Sequence, residues 1–122
     1  MRSLLILLPV TALLACGGSD STSPVTPPPV VTPGAPTPTV TTAVDMLSNT
    51  FTPAAIRVAP SATVTFTNSD NRNHNVTFAN NAAAATGNYS TGSKAVVMPA
   101  TAGTYAYSCT IHSGMVGTVQ VQ

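Results

Sequence analysis

Cys109, His112 and Met115 stand in the spacing Cys-x2-His-x2-Met, inside the stretch Tyr105-Ala106-Tyr107-Ser108-Cys109-Thr110-Ile111-His112-Ser113-Gly114-Met115-Val116-Gly117. A thiolate, an imidazole and a thioether therefore meet in one short loop. Soft sulfur donors with imidazole suit copper better than magnesium or calcium, which take oxygen ligands. Two imidazoles and a thiolate in a plane, with a weak axial thioether, make a one-electron copper site. The loop carries three of those four groups, and the chain holds one other histidine, His74, to supply the fourth. Taken singly, each residue has a plainer explanation: a buried thiol, a loop imidazole, a gap-filling thioether. Taken together, both histidines and the one cysteine beyond the N-terminal segment fall into one donor set, and that favours a metal.

The elements that must position these donors are strands. The chain of 122 residues has no Glu and no Trp, four Lys or Arg and three Asp. It is rich in Val, Thr, Ala, Gly and Pro, a composition that favours strands and turns over helices. A net charge near zero argues against nucleic acid, whose partners carry basic patches. Apolar and polar residues alternate in Ile56-Arg57-Val58, in Thr63-Val64-Thr65-Phe66-Thr67, in Val76-Thr77-Phe78, in Tyr105 to Cys109 and in Val119-Gln120-Val121-Gln122. Period two is the mark of half-buried strands. Turn signals separate them at Pro60-Ser61, Asn68 to Asn71 and Ala102-Gly103. Short strands at this spacing predict an antiparallel sandwich or barrel. Between Asn80 and Ser93 the pattern fails; Ala82 to Ala85 could make a helical turn, but Gly87, Asn88 and Gly92 argue for a loop.

The N-terminal third reads differently. Arg2 followed by the apolar run Leu4 to Leu14 is too short to span a bilayer and fits a signal segment over 1–15. Leu13-Leu14-Ala15-Cys16 resembles the bacterial lipoprotein box, which makes Cys16 the lipidated first residue of the mature chain. Cys109 is then the one remaining thiol, so no intramolecular disulfide forms. Ligation to a metal would protect it in an oxidising compartment. Residues 16–40 hold seven prolines among Ser, Thr, Val and Gly. Such a run blocks helix and ladder and favours a disordered, semi-rigid polyproline spacer. The folded domain is expected over 41–122, which is long enough for one modest core.

From about Val44 to Gln122 the sequence resembles the cupredoxins of the plastocyanin and amicyanin type. The likeness rests on Phe51-x-Pro53-x-x-Ile56-x-Val58, Thr63-Val64-Thr65-Phe66-Thr67-Asn68, His74-Asn75-Val76, Ala102-Gly103-Thr104-Tyr105 and the loop opened by Cys109. It implies an all-β Greek-key sandwich holding one type 1 copper ion. By the resemblance the ligands are His74, Cys109, His112 and Met115, and Asn75 ties the two ligand-bearing loops together. His-x2-Met matches the short amicyanin-type loop, and Gly114 eases its turn. The family's loop histidine faces solvent within an apolar patch, which makes His112 the expected electron port. Two domain aspartates, Asp45 and Asp70, cannot build the acidic patch of plant plastocyanins.

These readings combine into an exported, membrane-anchored blue copper protein on the periplasmic or cell-surface side. It is expected to act as a monomer, carrying single electrons between redox protein partners, and not as an enzyme. Copper oxidases need further centres with more histidines than the chain has. A copper-trafficking or copper-buffering lipoprotein would use the same ligands, and a metal-free adhesion sandwich would use none of them.

Overall fold

The computed structural model describes residues 36–122. The proposed signal segment, Cys16 and most of the proline-rich spacer lie outside the described residues. The chain forms β1 (Thr39–Val40), β2 (Ala43–Leu47), β3 (Thr50–Thr52), β4 (Ala55–Val58), β5 (Thr63–Asn68), β6 (Thr77–Phe78), β7 (Gly92–Val97), β8 (Gly103–Ser108) and β9 (Val116–Val121). They build two sheets, one in the order β1-β4-β9-β8-β6 and the other in the order β3-β2-β5-β7. All five strands expected from alternation are present, as β4, β5, β6, β8 and β9. The first strand includes Thr39 and Val40, which pair with Ile56 and Arg57.

The sandwich stands, but its ladders are mixed where antiparallel ones were expected. β2 runs parallel to β5, and β4 runs parallel to both β1 and β9. Parallel neighbours cannot be joined by a tight hairpin. The chain instead leaves one sheet, adds a strand to the other and returns. The β2–β3 link is a true hairpin: Ser48 and Asn49 both have positive φ, 53° and 59°. That backbone matches the twist of the flanking strands. β1, β2 and β7 were not anticipated as strands, and β1 falls within 16–40, the stretch expected to be a disordered spacer. β7 reads Gly-Ser-Lys-Ala-Val-Val and buries only Val96, so an edge strand against β5 shows little alternation.

Alternation puts Val44 and Met46 of β2, Val64 and Phe66 of β5, and Val119 and Val121 of β9 into the space between the sheets. At its centre Tyr107 of β8 packs edge-on against Phe51 at 4.8 Å and Phe66 at 5.4 Å between ring centroids, a favoured aromatic geometry. Gly117 of β9 lies opposite Tyr107 in the ladder, and a Cβ there would collide with the tyrosine ring. The Tyr107 hydroxyl is buried and has no hydrogen-bond partner among the described residues. Burial pushes its pKa well above the ordinary tyrosine value.

The Tyr107–Gly117 contact yields opposite expectations for two variants. Gly117→Ala overpacks the core and should cost about 1–3 kcal/mol. Tyr107→Phe removes an unpaired buried hydroxyl and should leave stability unchanged or raise it by about 1 kcal/mol. Thermal unfolding of the metal-free chain reads both, and a Tyr107→Phe variant that melts several degrees lower would refute the second.

Candidate metal centre

The site forms where two connections meet at one end of the sandwich. The first runs from β5 to β6 and carries His74. The second joins β8 to β9 and carries Cys109, His112 and Met115.

Asn68, the last residue of β5, shapes the first connection. Its side chain donates to the carbonyls of Arg72 and Tyr89, both at 2.7 Å, and accepts the Asp70 N–H at 3.3 Å. His74 then exchanges both backbone hydrogen bonds with Tyr89, each 3.0 Å long. The Tyr89 hydroxyl donates to the Phe66 carbonyl at 3.0 Å, and burial pushes its pKa up to about 12. The segment beyond β6 is fastened back by Thr86, which gives Val76 a backbone donor and a side-chain acceptor in one place: Thr86 N–H donates to the Val76 carbonyl at 3.1 Å, and Val76 N–H donates to Thr86 Oγ1 at 2.9 Å. The stretch 82–85 is a loop and not a helical turn.

The second connection closes on itself. Cys109 N–H donates to the Met115 carbonyl at 3.0 Å, and Met115 N–H to the His112 carbonyl at 3.3 Å. Gly114 takes φ +80°, with nothing within 4 Å of where a Cβ would sit. Its value is therefore the left-handed backbone it permits, not room for a neighbour.

Asn75 joins the two connections. Its amide nitrogen donates to Thr110 Oγ1 at 2.9 Å and to Asn88 Oδ1 at 2.8 Å. Its amide oxygen accepts Thr110 N–H at 3.0 Å and the Thr77 hydroxyl at 3.2 Å. Every donor and acceptor of this buried side chain is thus used, and two of the four bonds hold Thr110, the neighbour of Cys109, against the segment that carries His74.

The result is a convergence of donors. Ligand atoms of His74, Cys109 and His112 all lie within 4.8 Å of one another. Cys109 Sγ is 4.0 Å from His74 Nδ1 and 3.4 Å from His112 Nδ1. A first-row ion at about 2.0 Å from nitrogen and 2.3 Å from sulfur, in trigonal or tetrahedral geometry, separates N and S by about 3.5–3.7 Å. The two distances bracket that span, so the spacing suits shared ligation better than S–H···N bonding. His74 is fully buried, and Cys109 and Met115 are nearly so, while His112 is half-buried. The donor set of one thiolate and two imidazoles, with Met115 in the same closed loop, fits copper.

Sequence reasoning missed Asp70. Its carboxylate lies 3.0 and 3.1 Å from His74 Nε2. Burial pushes its pKa upward, but hydrogen bonds from His74, from the Arg72 N–H and from the Ser48 N–H hold it below the usual carboxylate value. The four-residue step from Asp70 to His74 was available as a signal. Nothing in a loop read as Asn68-Ser69-Asp70-Asn71 separates a ligand partner from an ordinary turn aspartate.

The family model for copper binding proteins of the plastocyanin/azurin family matches residues 38–122. No curated protein sequence matches the chain. Among solved structures, an oxidised proline-to-alanine mutant of amicyanin is 31% identical, with 66% of this chain and 80% of that one covered, at a TM-score of 0.59. A reduced Cu(I) form of an amicyanin proline-to-glycine mutant at pH 4 is 28% identical, with 76% and 87% covered, at 0.60. A reduced tryptophan-to-tyrosine mutant of amicyanin gives the same figures: 28%, 76%, 87% and 0.60.

If Asn75 ties the two connections, Asn75→Ala should destabilise the metal-free chain by about 2–3 kcal/mol, since it leaves the Thr110 N–H without its acceptor in a part-buried place. Denaturant unfolding of the metal-free protein measures this directly. A loss below half a kcal/mol would mean that the loops hold together without it.

Proposed function

Since the chain belongs to the plastocyanin/azurin family of copper binding proteins, we propose that it carries single electrons between redox protein partners, with one type 1 copper held by His74, Cys109, His112 and Met115. The observation that carries this reading is the meeting of the three donor atoms of His74, Cys109 and His112 within 4.8 Å, on loops already fixed by other bonds. Bound copper supplies a one-electron couple between its cuprous and cupric states.

The residues do the rest. Cys109, His74 and Met115 are buried, which keeps water away from three of the four donors. The Asn75 bonds and the Cys109–Met115 loop closure hold the donors in one arrangement, so that little rearrangement accompanies a change of charge. His112 alone of the four reaches the surface, beside Ile111, which is 45% exposed. The loop Thr110 to Thr118 has no charged residue. That favours brief docking on a small apolar surface over long-range electrostatic steering, with His112 as the point of entry and exit. The Leu13-Leu14-Ala15-Cys16 sequence supports a lipid on Cys16 and a place on the periplasmic or cell-surface side of a bacterial membrane.

One equivalent of Cu(II) added to the chain should give an intense visible thiolate charge-transfer band. Reductant should bleach it, oxidant should restore it, and Cys109→Ser should abolish it. A colourless complex with ordinary Cu(II) resonance would overturn the copper reading. Ready loss of Cu(I) to a competing chelator, with slow electron self-exchange, would favour copper trafficking instead. In cells, Cys16→Ser should move the protein from the membrane fraction to the soluble one.

A further inference from the structure

We propose that Asp70 is the positioning residue of the centre: its carboxylate, gripped by two backbone N–H groups, fixes the His74 ring and biases the site toward the cupric state. The inference rests on the copper reading above and goes beyond its ligand set.

The carboxylate is held from several sides. Oδ2 accepts the Ser48 N–H at 2.9 Å, and Oδ1 accepts the Arg72 N–H at 3.1 Å. Ser48 belongs to the β2–β3 hairpin, 22 residues earlier in the chain, so the aspartate is braced by a separate part of the sheet. Its own N–H is bound by Asn68. Both carboxylate oxygens then face His74 Nε2, in a pair whose side chains are 0% and 9% exposed.

Two consequences follow from chemistry alone. An ionised carboxylate only accepts hydrogen bonds, so Nε2 carries the proton, and the lone pair sits on Nδ1. Nδ1 is the atom that faces Cys109 Sγ. A negative charge behind an imidazole also makes it a stronger donor, and that favours the more highly charged state of a metal in front of it. The two histidines are treated differently. Among the described residues His112 has one side-chain partner, Cys109 Sγ, and no carboxylate behind it.

A plainer role would be loop support through Ser48 and Arg72. The two roles separate in the relative affinities for Cu(II) and Cu(I), which loop support does not set. In the full chain, Asp70→Asn keeps the shape and an acceptor oxygen but loses the charge. It should shift the Cu(II)/Cu(I) affinity ratio at least tenfold toward Cu(I), a rise of about 59 mV for one electron. Competition titrations with chelators for each ion, and voltammetry, read this directly. An unchanged ratio in both Asp70→Asn and Asp70→Ala, with only apoprotein stability lost, would overturn the proposal. Should the variants fail to fold, nitrogen-15 and proton resonances of the wild-type Cu(I) form decide it. An exchange-protected proton on His74 Nε2 supports the proposal, and one that exchanges as freely as that of His112 refutes it. A wild-type chain without the thiolate band would instead remove the copper reading, before any Asp70 variant is compared.

Discussion

The separation between His74 and Cys109 governs the rest of the structure. They are 35 positions apart in the chain, and the two lie on different connections of the sandwich. Bringing both into reach of one ion requires that two loops be ordered against each other, at a cost of roughly 1–2 kcal/mol of backbone entropy per fixed residue. Asn75 offsets part of that cost with two hydrogen bonds to Thr110 across the two loops. The strands offset more, because β6 pairs with β8 immediately before the loop, Thr77 opposite Ser108 and Phe78 opposite Tyr107. The donors are thus brought together by bonds that the chain makes with itself.

The four donors are held with unequal firmness. His74 sits at the bottom, bonded through its backbone to Tyr89 and through its ring to Asp70. Cys109 and Met115 close their loop by a backbone hydrogen bond. His112 lies nearest solvent and has the fewest restraints. An electron carrier benefits from this gradient. The inner residues keep the coordination geometry constant, and the outer one gives a partner close approach to the centre.

How much of this could be read from the sequence depends on the kind of interaction. Cys109, His112 and Met115 were legible because chemistry fixes both residue type and short spacing. His74 followed because no other histidine was available. Strands β5 and β9 were legible because Val64 with Phe66, and Val119 with Val121, carry the alternation of a half-buried face. β7 was not, because an edge strand that buries only Val96 has almost no pattern to show. The parallel pairs were not legible either, since strand direction is decided by crossovers between sheets and not by composition. Asp70 escaped for a similar reason. Its role depends on the positions of Ser48 and His74 after folding, and a turn aspartate looks the same with or without them.

Gly117 has a consequence for how this sequence can change over time. Its missing side chain leaves the place that the Tyr107 ring fills, so a side chain at 117 fits without a clash only after the residue at 107 has become smaller. A lineage that first trims Tyr107 opens a void that a later alanine at 117 can occupy. A lineage that begins at 117 meets a clash before any compensation exists. Tyr107 lies two residues from Cys109, so this ordering bears on the approach to the metal centre as well as on the core.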